Sequence, residues 1–176
     1  SEEAAKALTS AMKKYKKEAS DALSIVDKFT AVDMKAAISA GEIATAMAET
    51  ATGADLAGVS MDKLIGYITA VAEVTQDSPE SVGTYFKTLF ARMGNVKAGK
   101  FVDDETGEAL NDVEKVLNEA GIALRDNTGK FRNFGDVLDE VGAKWASFND
   151  DARNTQEALA TAFAGTRNAE KFKVLM

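Results

Sequence analysis

A single proline, Pro79, occurs in 176 residues, and that scarcity constrains the fold more than any other feature. Proline lacks an N–H donor and its ring clashes with the preceding helical turn, so a chain almost free of it has room for many uninterrupted helices. Apolar side chains recur at helical spacing along most of the length. Met61, Leu64, Ile65, Ile68, Val71 and Ala72 form one such stripe, which predicts a helix buried along one side. Pro79 starts the next helix: Ser78-Pro79-Glu80 supplies an N-cap, a first-turn proline with its φ preset, and an acid beside it. That helix carries Val82, Tyr85, Phe86, Leu89, Phe90 and Met93. The two are expected to be the central pair, joined by a tight turn at 76–78.

Upstream, Ala4, Leu8, Ala11, Tyr15, Ala19, Ala22, Val26 and Phe29 follow a near-heptad spacing with one stutter at Tyr15. They predict one long amphipathic N-terminal helix over 1–29, its packing strengthening from Leu23 onward. Its seam either docks on its own domain or associates with a partner helix, a second copy of this chain included. Ser39 is placed to cap a helix beginning near Gly41, with Glu42 in the dipole-favoured first turn. Ile43, Met47 and Ala51 give that helix a narrow face. Gly58 is a natural stop and Ser60 the next N-cap.

Periodicity fails between Gly94 and Asn111, where Gly99, Asp103, Asp104 and Gly107 mark a polar loop. A helix over 112–120 ends at Gly121. Residues 121–133 then switch to alternation at Ile122 and Leu124, a turn at Asn127-Thr128-Gly129, and a return through Phe131, which predicts one small β-hairpin. A helix with Phe134, Val137, Leu138, Val141, Trp145 and Phe148 follows at once. The only tryptophan lies on it, so the core is expected there. Asn149 is read as the cap of a helix bearing Leu159 and Phe163, and Thr166 as the cap of a last one with Ala169 and Phe172. Asp-Glu-Thr-Gly at 104–107 echoes Asp-Asn-Thr-Gly at 126–129, read as repeated turn chemistry. The expected fold class is an all-α, multi-helix domain with a long N-terminal helix and one small hairpin near residues 121–133. The 30–176 portion forms a compact helical domain excised from a longer chain, since the pattern runs on to Met176 without a stop signal.

Chemistry is restricted by what is missing. No cysteine and no histidine are present, which removes disulfides, thiolate catalysis, zinc ribbons and the usual general base. The carboxylate groups Asp103-Asp104-Glu105 and Asn149-Asp150-Asp151 are read as solvated or capping residues. Gly107 falls at the wrong offset for a Ca²⁺ loop, and nothing in the spacing pairs two acids for glycoside hydrolysis. No cofactor or metal is expected. A net charge of −7 argues against a sequence-independent grip on nucleic acid, and the five lysines between Lys6 and Lys17 are read as a solvated helix face. No apolar run is long enough for a membrane span, and Glu2 and Glu3 do not open a secretory leader. Arg125, Lys130 and Arg132 on the hairpin, with Arg167 in the Gly165-Thr166-Arg167-Asn168 turn, are the candidate partner contacts. Each has a competing role in tying its turn to neighbouring carboxylates.

Three blocks in order carry a resemblance: EVTQDSPESVGTYFKTLFARMGNVK, then GIALRDNTGKFRNFGDVLDEVGAKWASFND, then AFAGTRNAEKFKVLM. Over roughly residues 25–176 the chain resembles phage tail tape-measure proteins; residues 1–24 do not contribute, and the loop at 97–109 lies where the family varies. The resemblance implies a non-enzymatic structural module of a phage or prophage tail, in a family that scaffolds tail-tube assembly and sets tail length. It implies tail-tube, tail-tip or tail-chaperone proteins as partners, the virion's tail lumen as location, and the host cytoplasm during assembly. It supplies no catalytic residue for this region. The alternative is a helical protein-binding adaptor unrelated to phage tails.

Overall fold

The computed structural model describes residues 2–34, 36–104, 106–110, 112–148 and 154–176. Among them are nine α-helices and no strand: α1 (Glu2–Lys14), α2 (Ala22–Asp33), α3 (Ala40–Leu56), α4 (Met61–Thr75), α5 (Pro79–Lys97), α6 (Val113–Glu119), α7 (Phe134–Lys144), α8 (Thr155–Ala164) and α9 (Ala169–Leu175). The chain divides into two compact units, the first made of Ser1–Leu56 and Ser60–Lys87, the second of Ala57–Val59 and Thr88–Met176.

In the first unit the expected single N-terminal helix is two helices. Lys16 adopts φ 53°, and the Lys17 N–H donates to the Met12 carbonyl (2.9 Å), a left-handed stop of the kind glycine usually provides. Asp21 then accepts the Glu18 N–H (3.0 Å) and opens a 3-10 turn over Ala19–Asp21 that leads into α2. The stutter at Tyr15 is therefore a break. Packing also runs opposite to expectation. The alanine-rich α1 lies closely on α3, with Ala11 and Met12 buried, because small residues let the backbones approach: a Cβ at Gly41 would stand 3.4 Å from that of Ala4. In α2 only Ile25 and Phe29 are buried, and Leu23 is 79% exposed.

The hub of this unit is α3, which meets α1, α2 and α4; the expected central pair of α4 and α5 is subordinate to it. Its start is a reciprocal box in which Ser39 Oγ accepts the Glu42 N–H (3.3 Å) and the Glu42 carboxylate accepts the Ser39 N–H (2.8 Å). That second bond lowers the pKa of Glu42. Ser60 caps α4 by accepting the Lys63 N–H (3.2 Å), and Ser78 caps α5 through the Ser81 N–H (3.2 Å). Ile43, Met47, Leu64, Ile68 and Phe86 are fully buried between these helices, and Tyr67 stacks near Phe86 at 6.4 Å. Two buried hydroxyls, Thr50 Oγ1 and Tyr85 Oη, find no hydrogen-bond partner among the described residues, and burial pushes the Tyr85 phenol far upward.

The second unit is built on a run of aromatic contacts. Phe90 meets Phe134 edge-on at 6.1 Å, Phe134 meets Phe163 at 5.7 Å, Phe163 stacks on Phe172 at 5.0 Å, and Phe172 meets Trp145 at 6.0 Å. Phe163 and Phe172 are fully buried, whereas Trp145 is only half-buried. The tryptophan thus ends the run, and the expectation that it centres the core is corrected. It sits in a 3-10 turn (Trp145–Phe148) where α7 has already stopped. Asn149, the expected cap of the next helix, lies outside the described residues; α8 begins at Thr155 after Asn154 at φ 53°.

The expected β-hairpin over 121–133 is reduced to one bridge, Arg125 opposite Phe131, flanked by Arg132 N–H to Leu124 O (3.0 Å) and Asp126 N–H to Lys130 O (2.8 Å). No ladder extends from it. On one side the chain is already in the turn, and on the other Asn133 caps α7 by accepting the Asp136 N–H (3.4 Å). Only Ile122 and Leu124 reach the core. Val102 opposite Ala109 forms a second isolated bridge.

Two glycines inside helices of the first unit give a matched test of close packing. A Cβ at Gly83 would lie 2.8 Å from the Ala46 carbonyl oxygen, while nothing lies within 4 Å of one at Gly66 in α4. Gly83→Ala should destabilise the first unit by about 1–3 kcal/mol through overpacking, and Gly66→Ala should stabilise it by roughly 0.5–1 kcal/mol through helix propensity. Urea unfolding followed by circular dichroism measures both.

Candidate functional site

Two arrangements of charge in the second unit merit a functional reading, one on its surface and one inside. On the surface, Arg125 and Phe131 face each other across the single bridge, and the guanidinium carbon of Arg125 lies 3.9 Å from the Phe131 ring centroid. Its Nε donates to the Glu114 carboxylate (3.0 Å) and its Nη1 to the Gly129 carbonyl (3.1 Å). Arg132 is likewise committed: Nη1 donates to the Ala123 carbonyl (2.7 Å) and to Glu140 Oε2 (2.8 Å). Glu140 also accepts from Lys144 (2.9 Å), and these hydrogen bonds, Lys144's first, hold its carboxyl below the usual range.

The side chains of Lys130 and Arg167 are different. Both residues are exposed, and neither side chain has an ion-pair partner among the described residues. The structure thus brings Arg125, Lys130 and Arg132 together on one turn, as their sequence spacing requires, and places Arg167 in a separate 3-10 turn (Thr166–Asn168) before α9.

The turn under Lys130 is organised by one carboxylate. Asp126 Oδ1 accepts the Thr128 hydroxyl (2.7 Å), the Thr128 N–H (2.8 Å) and the Lys130 N–H (3.0 Å), and these bonds to Thr128 and Lys130 lower its pKa. A carboxylate also braces the turn at the other bridge, from one residue before the repeated segment. There Asp103 Oδ1 accepts the Thr106 N–H (3.3 Å) and the Thr106 hydroxyl accepts the Glu108 N–H (3.3 Å). The two Asp-x-Thr-Gly segments thus share a carboxylate brace to backbone N–H, but not the same acid or the same role for the threonine hydroxyl.

Inside the unit, sequence reasoning missed the principal charged group. Arg92 is 3% exposed, as is Asp103, so Asp103 is no solvated loop acid. Arg92 Nε donates to the Ala162 carbonyl (3.0 Å), Nη1 to Asp103 Oδ2 (3.3 Å) and Glu108 Oε2 (3.1 Å), and Nη2 to the Ala109 carbonyl (3.4 Å). Glu108 in turn accepts the Thr166 N–H through Oε1 (3.0 Å). The available signal was an arginine inside the apolar stripe of α5, one residue before Met93; a long charged side chain there must find partners in the interior. Beside Arg92, a cavity of about 430 Å³ is walled by Asp112, Val113, Val116, Glu157 and Ala158. Its guanidinium is already shared among two carboxylates and two carbonyls, which leaves little for an anion.

Among the described residues no group of three or more acidic side chains is placed to hold a metal ion, and no helix is long and apolar enough to cross a membrane. Glu105, Asp150 and Asp151 of the acidic groups lie outside the described residues. What the geometry provides is surface cations on a carboxylate-braced turn and an internal clamp, carried by an all-helical chain.

The chain matches the family of phage-related minor tail proteins over residues 1–164, and it belongs to that family. It is accordingly a phage tail protein of the virion, with other tail proteins as its partners. The match includes residues 1–24, which carried no resemblance in the sequence. No solved structure matches the chain.

Removing the Arg92 guanidinium leaves Asp103 buried and uncompensated, which typically costs about 3–5 kcal/mol. Arg92→Ala should show a loss of that order in denaturant unfolding. Arg92→Met with Asp103→Asn should recover part of it, since the lone charge is then gone.

The lowered pKa of Asp126 fixes a direction with pH. Its folded pKa lies below an unfolded value of about 3.9, so the turn's stabilisation is present above that value and is lost as pH falls through the lower folded one. Asp126→Ala should therefore lower Tm at pH 7, and the difference from wild type should narrow as the solution is made acidic enough to protonate the folded carboxylate. A Tm gap that stays constant with pH would show that the carboxylate's charge is not what braces the turn.

Proposed function

We propose that the chain is a non-enzymatic structural module of a tail tape-measure protein, a part of a longer polypeptide that scaffolds tail-tube assembly and sets tail length by its own span. The observation that carries this reading is the family match over residues 1–164, to which the three ordered sequence blocks add the finer assignment. An all-helical chain with charged side chains tied to one another is in keeping with a structural role. An adaptor unrelated to phage tails does not accord with the family. In the assembled particle the module lies in the tail lumen, and during assembly in the host cytoplasm, in contact with tail-tube, tail-tip or chaperone proteins. Lys130 and Arg167 are the contacts left for an acidic partner surface, with Arg125 and Arg132 shaping the turn that presents Lys130.

A ruler must shorten the tail when it is shortened. In-frame deletion of these residues from the parent gene should yield tails shorter by roughly 260 Å if the segment lies as α-helix at about 1.5 Å per residue. Electron microscopy of negatively stained particles reads the length directly. Viable phage with tails of unchanged length would overturn the reading.

A further inference from the structure

Helix α2 is apolar on two opposite sides. Ile25 and Phe29 face the interior at 4% and 3% exposure, while Leu23 and Met34 stand 79% and 83% exposed and Val26 41%. At 100° per residue, positions 23, 26, 30 and 34 fall on one side of the helix, so the exposed residues form a continuous stripe with Thr30 at its middle. Apolar side chains exposed along one face over about three turns are the form a helix takes when its second face is covered by another protein.

The borders of the stripe define what covers it. Asp27 flanks one edge and Asp33 the other; both are exposed, and neither has a cation partner among the described residues. Lys28, the one described cation within α2, points elsewhere, its Nζ 2.6 Å from Asp62. A second copy of α2 is disfavoured in either direction. An antiparallel two-fold pair sets each edge against its own equivalent, and a parallel pair sets the Asp27 edge against the Asp33 edge. Carboxylate meets carboxylate in both, and like charges across a helix pair repel.

We propose that the Leu23–Val26–Met34 face of α2 is a docking site for an amphipathic helix of another protein, one whose apolar stripe is bordered by lysine or arginine on both edges. The apolar stripe supplies the contact area, and Asp27 and Asp33 select the flanking charge and set the register.

The test uses the whole chain and two synthetic peptides of identical leucine stripe, one flanked by lysines and one by glutamates, each followed by fluorescence anisotropy. The lysine-flanked peptide is expected to bind at least tenfold tighter, and to weaken as salt rises. L23S/V26S/M34S should reduce its affinity at least tenfold with an unchanged thermal melt, because none of the three is a core residue. D27K/D33K should reverse the preference toward the glutamate-flanked peptide. Equal affinity for the two peptides, no binding of either, or binding that survives the triple serine variant would overturn the proposal. So would a wild-type dimer in sedimentation that the serine variant dissociates, which would show that a second copy covers the face.

Discussion

One guanidinium organises the second unit. Arg92 holds Asp103, Glu108 and the Ala109 carbonyl of the polar loop and the Ala162 carbonyl near the end of α8, and Glu108 extends the hold to the Thr166 N–H. Three segments remote in sequence share one cation. The aromatic run from Phe90 to Trp145 contributes apolar burial, worth several kcal/mol in area alone. Rings, however, accept several packings, whereas a planar fork with four oxygen partners accepts one. The loop after α5 has few buried apolar side chains of its own, Leu110 being the main one. It is held by charge where it cannot be held by grease. At the close approach of Gly165 to Glu108, a Cβ would stand 2.3 Å from Oε2, so glycine is needed for the clamp to close.

The helices were legible because their signals are local. Ser60, Ser78 and Asn133 sit before apolar stripes and cap as their side-chain chemistry dictates. Gly121 at φ 70° stops α6, with the Ile122 N–H reaching back to Leu117 O (2.9 Å). What failed to show was whatever depends on partners far away in the chain. The break at Lys16 needs a non-glycine residue in a left-handed conformation, which periodicity does not announce. The hairpin signal at 122–131 was real as a turn, but a strand needs a ladder, and the start of α7 leaves no residues for one. Trp145 was overvalued because size is not burial; Phe163, smaller and two turns into α8, is the side chain enclosed on all sides.

The candidate contacts divide in the same way. That Arg125 and Arg132 would pair with carboxylates was a standing alternative, but Glu114 and Glu140 as the particular partners come from tertiary approach. Lys130 and Arg167 keep their charge exposed. Arg92 escaped notice because an arginine on an apolar helix face reads as a boundary residue until its acids are seen folded beneath it. The acids themselves, Asp103 and Glu108, sit in a stretch whose composition resembles an ordinary solvent loop.

The reach of that clamp also sets an order of events. Arg92 and Ala162 are separated by 70 residues, so the contact cannot exist until α8 has been made. At roughly 5–20 residues per second of synthesis, that interval is about 4–14 s. The first unit, complete once residue 87 has emerged, faces no such wait. During the interval the loop acids Asp103 and Glu108 remain hydrated and Phe134 lacks Phe163. Until then the second unit is an open, half-apolar segment that lacks the clamp holding its loop to α8.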